Sequence, residues 1–220
     1  MTEHFGLYLV VTDPRSGYDA CTEAAVECGL RYVQLRIKDQ PRERVVEIAQ
    51  RMRAITRGST TRFIVNDDVS VAREVDADGV HLGQTDLALA EARRLWPSEI
   101  PKLFGLSTHD ESQATAALQQ APDYIGVGPV YATPTKRIAD PVLGVDRAAR
   151  IVAQSKLTAV AIGGIDAQRL TELLAAQIRN FAVVRYVCQH PKPAEPIREL
   201  MQIWRQWSCA QTPVGSAASG

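Results

Sequence analysis

Eight short apolar runs, most of them followed by a longer amphipathic stretch, constrain this chain more than any other feature. The runs are Gly6–Thr12, Tyr32–Leu35, Phe63–Val65, Gly79–Leu82, Leu103–Leu106, Tyr124–Val127, Ala159–Ile162 and Ala182–Val184. Several are apolar without alternation, the pattern of parallel strands buried on both faces. Arg42–Arg57 carries Val45, Ile48, Ala49 and Met52 at helical spacing. Asp110–Gln120 and Asp166–Ile178 each open on an aspartate suited to cap a helix. Leu170, Leu173 and Leu174 form an apolar face on the second of these, and Ile197, Leu200, Ile203 and Trp204 do the same over Pro196–Trp207.

Strand–helix units repeated without a break in composition predict a closed α/β barrel, the (β/α)8 TIM barrel, rather than an open doubly wound sheet. No G-x-G-x-x-G follows the first run, which weakens a dinucleotide-binding fold. The 220 residues suit one such barrel as a single domain. We expect that domain over residues 1–208 and a disordered tail rich in Ser, Ala and Gly over residues 209–220. The long irregular segment Thr133–Val145 is expected to be a functional loop.

Acidic and basic side chains balance at 25 each, so no bulk charge favours nucleic acid or a membrane surface, and any electrostatic function must be local. Cys21, Cys28, Cys188 and Cys209 form no C-x-x-C pair and have no zinc-site spacing. Cys21 and Cys28 lie about 10 Å apart along one predicted helix, too far for a disulfide. All four are expected to be reduced packing residues. With no signal-peptide pattern and no apolar run of membrane-spanning length, a soluble cytoplasmic protein is expected.

The active face of such a barrel lies at the C-terminal ends of its strands. Strand alternation puts Gln34, Arg36 and Lys38 on one face at the mouth, where a guanidinium fork and an ammonium suit diphosphate oxygens. After the third run, Asp68 is expected to cap a helix, which leaves Asn66 and Asp67 for ligand. Asp86, beyond a glycine turn, either caps the next helix or faces Asp67. Two such carboxylates are what Mg2+ needs, with waters and phosphate oxygens filling its octahedron. His81 reads as a barrel or supporting residue rather than a metal ligand. Ser107 can donate a hydroxyl to phosphate, and His109 is an acid–base candidate that reads more readily as structural. Thr133, Thr135 and Lys136 offer two hydroxyls and a cation able to close over a phosphate. Gly163 and Gly164 bare backbone N–H groups where barrels often bind phosphate, or simply make a tight turn.

Taken in order, the segments Gln34-Leu35-Arg36-Ile37-Lys38, Val65-Asn66-Asp67, Ala77 to Asp86, Gly105-Leu106-Ser107-Thr108-His109, Asp123 to Val130, Thr133-Pro134-Thr135-Lys136 and Ala161-Ile162-Gly163-Gly164-Ile165 resemble the thiamine phosphate synthase family. The similarity runs from about Leu7 to Val187, and the ordered combination is far more specific than any one piece. The resemblance implies joining of hydroxymethylpyrimidine diphosphate to a thiazole phosphate, giving thiamine phosphate and pyrophosphate. It implies Gln34, Arg36, Lys38 and Asn66 on the pyrimidine diphosphate, Asp67 and Asp86 on Mg2+, and Ser107 and Lys136 on the diphosphate. Thr133, Thr135 and Gly164 would hold the thiazole phosphate, with backbone donation from Val184 and Arg185. Arg36, Lys38, Ser107 and Lys136 would carry the charge stabilisation. Small-molecule substrates are the implied partners, with neither nucleic acid nor membrane, and a homo-oligomer stays open.

One departure stands out. Where the family reads roughly Gly-Val-Ala-Val-Val-Ser-Ala-Ile, this chain reads Asn180-Phe181-Ala182-Val183-Val184-Arg185-Tyr186-Val187. Arg185 either adds a cation to the thiazole phosphate or intrudes on its site. Two alternative functions follow: a thiazole tautomerase relying on His109, and a silent barrel that only binds a thiamine precursor. Lys38, Asp67, Asp86 and Lys136 speak against both.

Overall fold

Every residue of Leu7–Val11 is buried, which a strand achieves only when both its faces are covered. In the computed structural model, which describes residues 2–135 and 140–211, this is β1. It is followed by α1 (Tyr18–Glu27), β2 (Tyr32–Leu35), α2 (Arg42–Thr56), β3 (Arg62–Asn66), α3 (Val69–Glu74), β4 (Gly79–Leu82) and α4 (Leu89–Leu95). The second half continues with β5 (Leu103–Thr108), α5 (Glu111–Gln120), β6 (Tyr124–Val127), α6 (Val145–Gln154), β7 (Thr158–Ala161), α7 (Ala167–Ala175), β8 (Phe181–Val183), α8 (Arg185–Cys188) and α9 (Ala194–Gln211). Each predicted run is a strand. The strands pair in parallel in chain order, and β8 returns to β1 through Leu7↔Phe181, Tyr8↔Ala182 and Leu9↔Val183. The expected (β/α)8 barrel is therefore the observed one.

Alternation along the strands sorts side chains into two cores. Leu7, Leu9, Val11, Val33, Leu35, Phe63 and Phe181 point outward and pack under the helices, joined there by Ile48, Met52, Leu170 and Leu200. Tyr8, Val10, Tyr32, Ile64, Tyr124, Val160 and Ala182 point inward and fill the barrel. Three tyrosines in that inner core are unusual for a space that branched aliphatics commonly fill.

The predicted caps form. Asp68, Asp110 and Asp166 accept from the N–H groups of Val71, Gln113 and Arg169 at 3.0, 2.7 and 2.9 Å. Each stabilises its helix start by about 1 kcal/mol. The domain boundary needs correction: α9 runs to Gln211, so residues 209–211 are helical rather than tail, and residues 212–220 lie outside the described ones. Cys21 and Cys188 are core residues as expected, but Cys209 is exposed on α9. Among the described residues no helix is long and apolar enough to cross a membrane.

Candidate active site

The C-terminal ends of the strands surround a cavity of about 720 Å³. Gln34, Arg36, Asn66, Ser107, Thr133, Thr135, Gly164, Val184 and Arg185 all line it, so the structure gathers residues spread over most of the chain. A cavity of this size holds a small organic ligand. Lys136 lies outside the described residues.

Lys38, Asp67 and Asp86 are not among the residues lining the cavity. Next to its lining residue Asn66, the Asp67 and Asp86 carboxyls lie within hydrogen-bonding reach of each other, and Lys38 pairs with Asp67. The ladder explains the meeting. Asp67 N–H donates to His81 O at 2.8 Å, which carries the β3 pairing one residue past the strand and beside β4. Asp67 takes a left-handed φ of 65°, a conformation found where structure over-determines a residue. Asp86 does not cap α4, whose N-cap is Ala88. Its Oδ2 instead accepts from Gly83 N–H at 2.7 Å, which turns the carboxyl back toward Asp67. Burial and the Asp86 hydrogen bond raise the Asp67 carboxyl above its usual range, against the pull of Lys38. Burial also opposes ionisation of Asp86, but the hydrogen bonds from Asp67 and Gly83 and the Lys38 charge hold it below that range. The first ionisation of the pair thus falls to Asp86 and the second to Asp67, and the two carboxyls are of the hard-oxygen kind that magnesium takes.

The floor holds a chain of hydrogen bonds that no strand-end reading contained. Gln34 Nε2 donates to Tyr8 OH at 2.9 Å, and Tyr8 OH meets Tyr124 OH at 2.9 Å. Tyr124 OH lies 3.1 Å from His81 Nδ1, and His81 Nε2 lies 2.9 Å from Ser107 Oγ. His81 is thus the supporting residue its position implied. Gly105 makes the room: a Cβ there would stand 2.2 Å from Tyr124 Cζ and 2.5 Å from His81 Nδ1.

The opposite wall is built from the turn after β7 and the loop after β6. Val130 N–H and Tyr131 N–H donate to Ile162 O and Gly163 O. At Gly164, φ is 69° and a Cβ would lie 2.8 Å from Ala132 O, so glycine serves the close approach as well as the turn. Arg169 reaches back from α7 to donate to Gly164 O at 2.6 Å while stacking 4.9 Å over the Tyr131 ring. Thr133 Oγ1 and Thr135 Oγ1 sit 3.0 Å apart at the cavity. Arg185, on the first turn of α8, is exposed and lines the same end. His109 is held by structure, with Nδ1 on Gly128 O at 2.6 Å and Nε2 3.7 Å from Asp140.

The sequence reading missed Tyr8, Tyr124 and Arg169. Strand alternation carries a usable signal for the tyrosines, since both stand at inward positions. Nothing local marks Arg169.

Comparison with known proteins identifies the family. Residues 7–187 match the family model described as thiamine monophosphate synthase. The thiamine-phosphate synthase of Archaeoglobus fulgidus is 35% identical over 209 residues, which cover 94% of this chain and 97% of that protein. That of Synechocystis is 40% identical over 89% of this chain, but the chain spans only 56% of that longer relative. A solved thiamine phosphate pyrophosphorylase from Pyrococcus furiosus superposes with a TM-score of 0.82 at 30% identity, covering 92% of this chain and 96% of that one. With its barrel, its paired rim carboxylates and these relatives, the chain belongs to the thiamine monophosphate synthase family.

Proposed function

We propose that this protein is a thiamine phosphate synthase, joining hydroxymethylpyrimidine diphosphate to thiazole phosphate with release of pyrophosphate. The observation that carries the reading is one cavity with two differently equipped ends. Arg36, Asn66 and Ser107 line it from the end of β2, from β3 and from β5, while Thr133, Thr135, Gly164 and Arg185 line it from the segments after β6, β7 and β8. Two anionic substrates can therefore lie end to end, with their reacting atoms between.

Asp67 and Asp86 fit a hydrated Mg2+, since two hard carboxyls already meet one residue beyond the cavity-lining Asn66. When bound, the ion would neutralise diphosphate charge and so make pyrophosphate a better leaving group. Arg36 and Lys38 add fixed positive charge at the same end, and by family resemblance Lys136 does too. Gln34 and Asn66 orient the pyrimidine ring. As the methylene C–O bond breaks, its electron pair leaves with pyrophosphate. The thiazole nitrogen lone pair then bonds the methylene carbon. The protein supplies position and charge, and needs no nucleophile of its own.

A thiazole tautomerase would depend on His109, whose Nδ1 is already committed to Gly128 O. The four free cysteines favour the cytoplasm as the place of action. The test is direct. Purified protein with Mg2+ and both substrates should yield thiamine phosphate and pyrophosphate in equal amounts. A folded, metal-loaded protein that forms neither is not a synthase.

A further inference from the structure

The buried chain from Gln34 through Tyr8, Tyr124 and His81 to Ser107 crosses the barrel beneath the cavity, and none of its members is more than 9% exposed. With the Gln34 amide nitrogen turned to Tyr8, its protons run in one direction. Gln34 donates an amide hydrogen to the Tyr8 oxygen, so the Tyr8 hydroxyl needs an acceptor of its own. Among the described residues that acceptor is the Tyr124 oxygen. Tyr124, having accepted, passes its hydrogen to His81 Nδ1. The imidazole then carries its proton on Nε2 and donates to Ser107 Oγ. Ser107 has accepted in turn, which frees its own hydroxyl hydrogen to point into the cavity. The reverse direction would need the Gln34 carbonyl oxygen, not its amide nitrogen, turned to Tyr8, and would spend the Ser107 proton on His81.

We infer that His81 is a positioning residue, held in its Nε2–H tautomer by Tyr124 and Tyr8 so that Ser107 can only donate to an anionic oxygen of the diphosphate. The same polarity leaves the Gln34 carbonyl oxygen as its unspent group, an acceptor suited to an amino substituent on a bound ring. One chain thereby sets the sign of two contacts on opposite sides of the substrate. Tyr124 owes its place to the missing side chain at Gly105. The inference rests on the proposed function only in taking Ser107 as a diphosphate contact.

Two measurements test it. Long-range 15N–1H spectra of protein labelled at its four histidines should show the ring of His81, assigned by its loss in His81→Gln, protonated on Nε2. Protonation on Nδ1 overturns the proposal. Second, inorganic pyrophosphate is titrated calorimetrically with Mg2+ present. Tyr124→Phe should weaken its binding about tenfold, the worth of one hydrogen bond to a charged group. In a Ser107→Ala background the same change should cost less than about twofold, because the two residues then no longer act through one another. An equal loss in both backgrounds means that Tyr124 acts some other way, and the proposal fails. If Tyr124→Phe does not fold, Tyr8→Phe breaks the chain one link further out and is judged by the same cycle. Unmutated protein that binds no pyrophosphate sinks the synthase reading instead, and the tautomer spectrum alone then decides the direction of the chain.

Discussion

Asp67 and Asp86 touch because one backbone hydrogen bond, from Asp67 N–H to His81 O, extends the β3–β4 ladder just past its end. Two carboxyls so placed cannot both ionise cheaply unless a cation joins them.

A pH dependence of metal binding follows. The Asp67 carboxyl is raised above the usual carboxylate range by burial and by Asp86. It must be ionised before both groups can face a divalent ion. Mg2+ affinity should therefore rise as pH climbs through the raised Asp67 value and fall away below it. Asp67→Asn should abolish Mg2+-dependent pyrophosphate binding while the barrel still melts cooperatively, and chelation should stop turnover by the unmutated protein. Calorimetric titration across the acid range checks both; a flat profile contradicts the carboxylate pair as the metal site.

Gly105→Ala should destabilise the barrel by roughly 1–3 kcal/mol, the usual cost of forcing atoms into a filled interior. The new Cβ would sit 2.2 Å from Tyr124 Cζ and 2.5 Å from His81 Nδ1, so both rings would have to shift and give up their 3.1 Å hydrogen bond. Chemical denaturation measures the loss. A variant as stable as the parent would show that the inner layer is looser than these distances imply.

Arg185→Ala should raise KM for thiazole phosphate about tenfold, near 1.4 kcal/mol, as expected for losing one charge-assisted contact. KM for the pyrimidine diphosphate should hardly move, because Arg185 lies at the other end of the cavity. An improved KM for thiazole phosphate would mean that the side chain crowds the site.

Glu111 on α5 and Arg147 on α6 form a two-point pair, with Nε and Nη2 at 3.1 and 2.6 Å from the carboxylate oxygens. The Arg147 hydrogen bond depresses the Glu111 carboxyl from 4.5 to about 2. A depressed carboxylate stabilises the fold above its ordinary value and loses that effect as pH falls through the folded one. Arg147→Ala should therefore start acid unfolding at a slightly higher pH. Both partners are exposed, so the difference should be small and should vanish in high salt. Circular dichroism during acid titration at two salt concentrations reads it.

The barrel was legible because burial on both faces writes itself into continuous apolar runs, and the caps at Asp110 and Asp166 were legible because capping is a local contact. Most site residues were found for a related reason: strand ends fix which side chains reach the mouth. What stayed hidden depends on register around the ring. Tyr8 and Tyr124 are far apart in sequence and on strands that are not neighbours, and their meeting requires the empty place at Gly105. Arg169 was hidden because its partner is a backbone carbonyl, which has no residue-type signature. For Asp86 the sequence left capping and metal binding both open; the structure removes capping, since its carboxylate accepts from Gly83 N–H and the N-cap of α4 is Ala88.

The excursion after β6 leaves the barrel through a narrow neck. Leu143 N–H donates to Pro129 O and Gly144 N–H to Val130 O, so the outgoing and returning strands of chain are tied to each other where they meet the sheet. Changes in length beyond that knot need not disturb strand register or the two rim aspartates. The fold thus lets the length of that loop vary while the strands that carry the rest of the cavity keep their places.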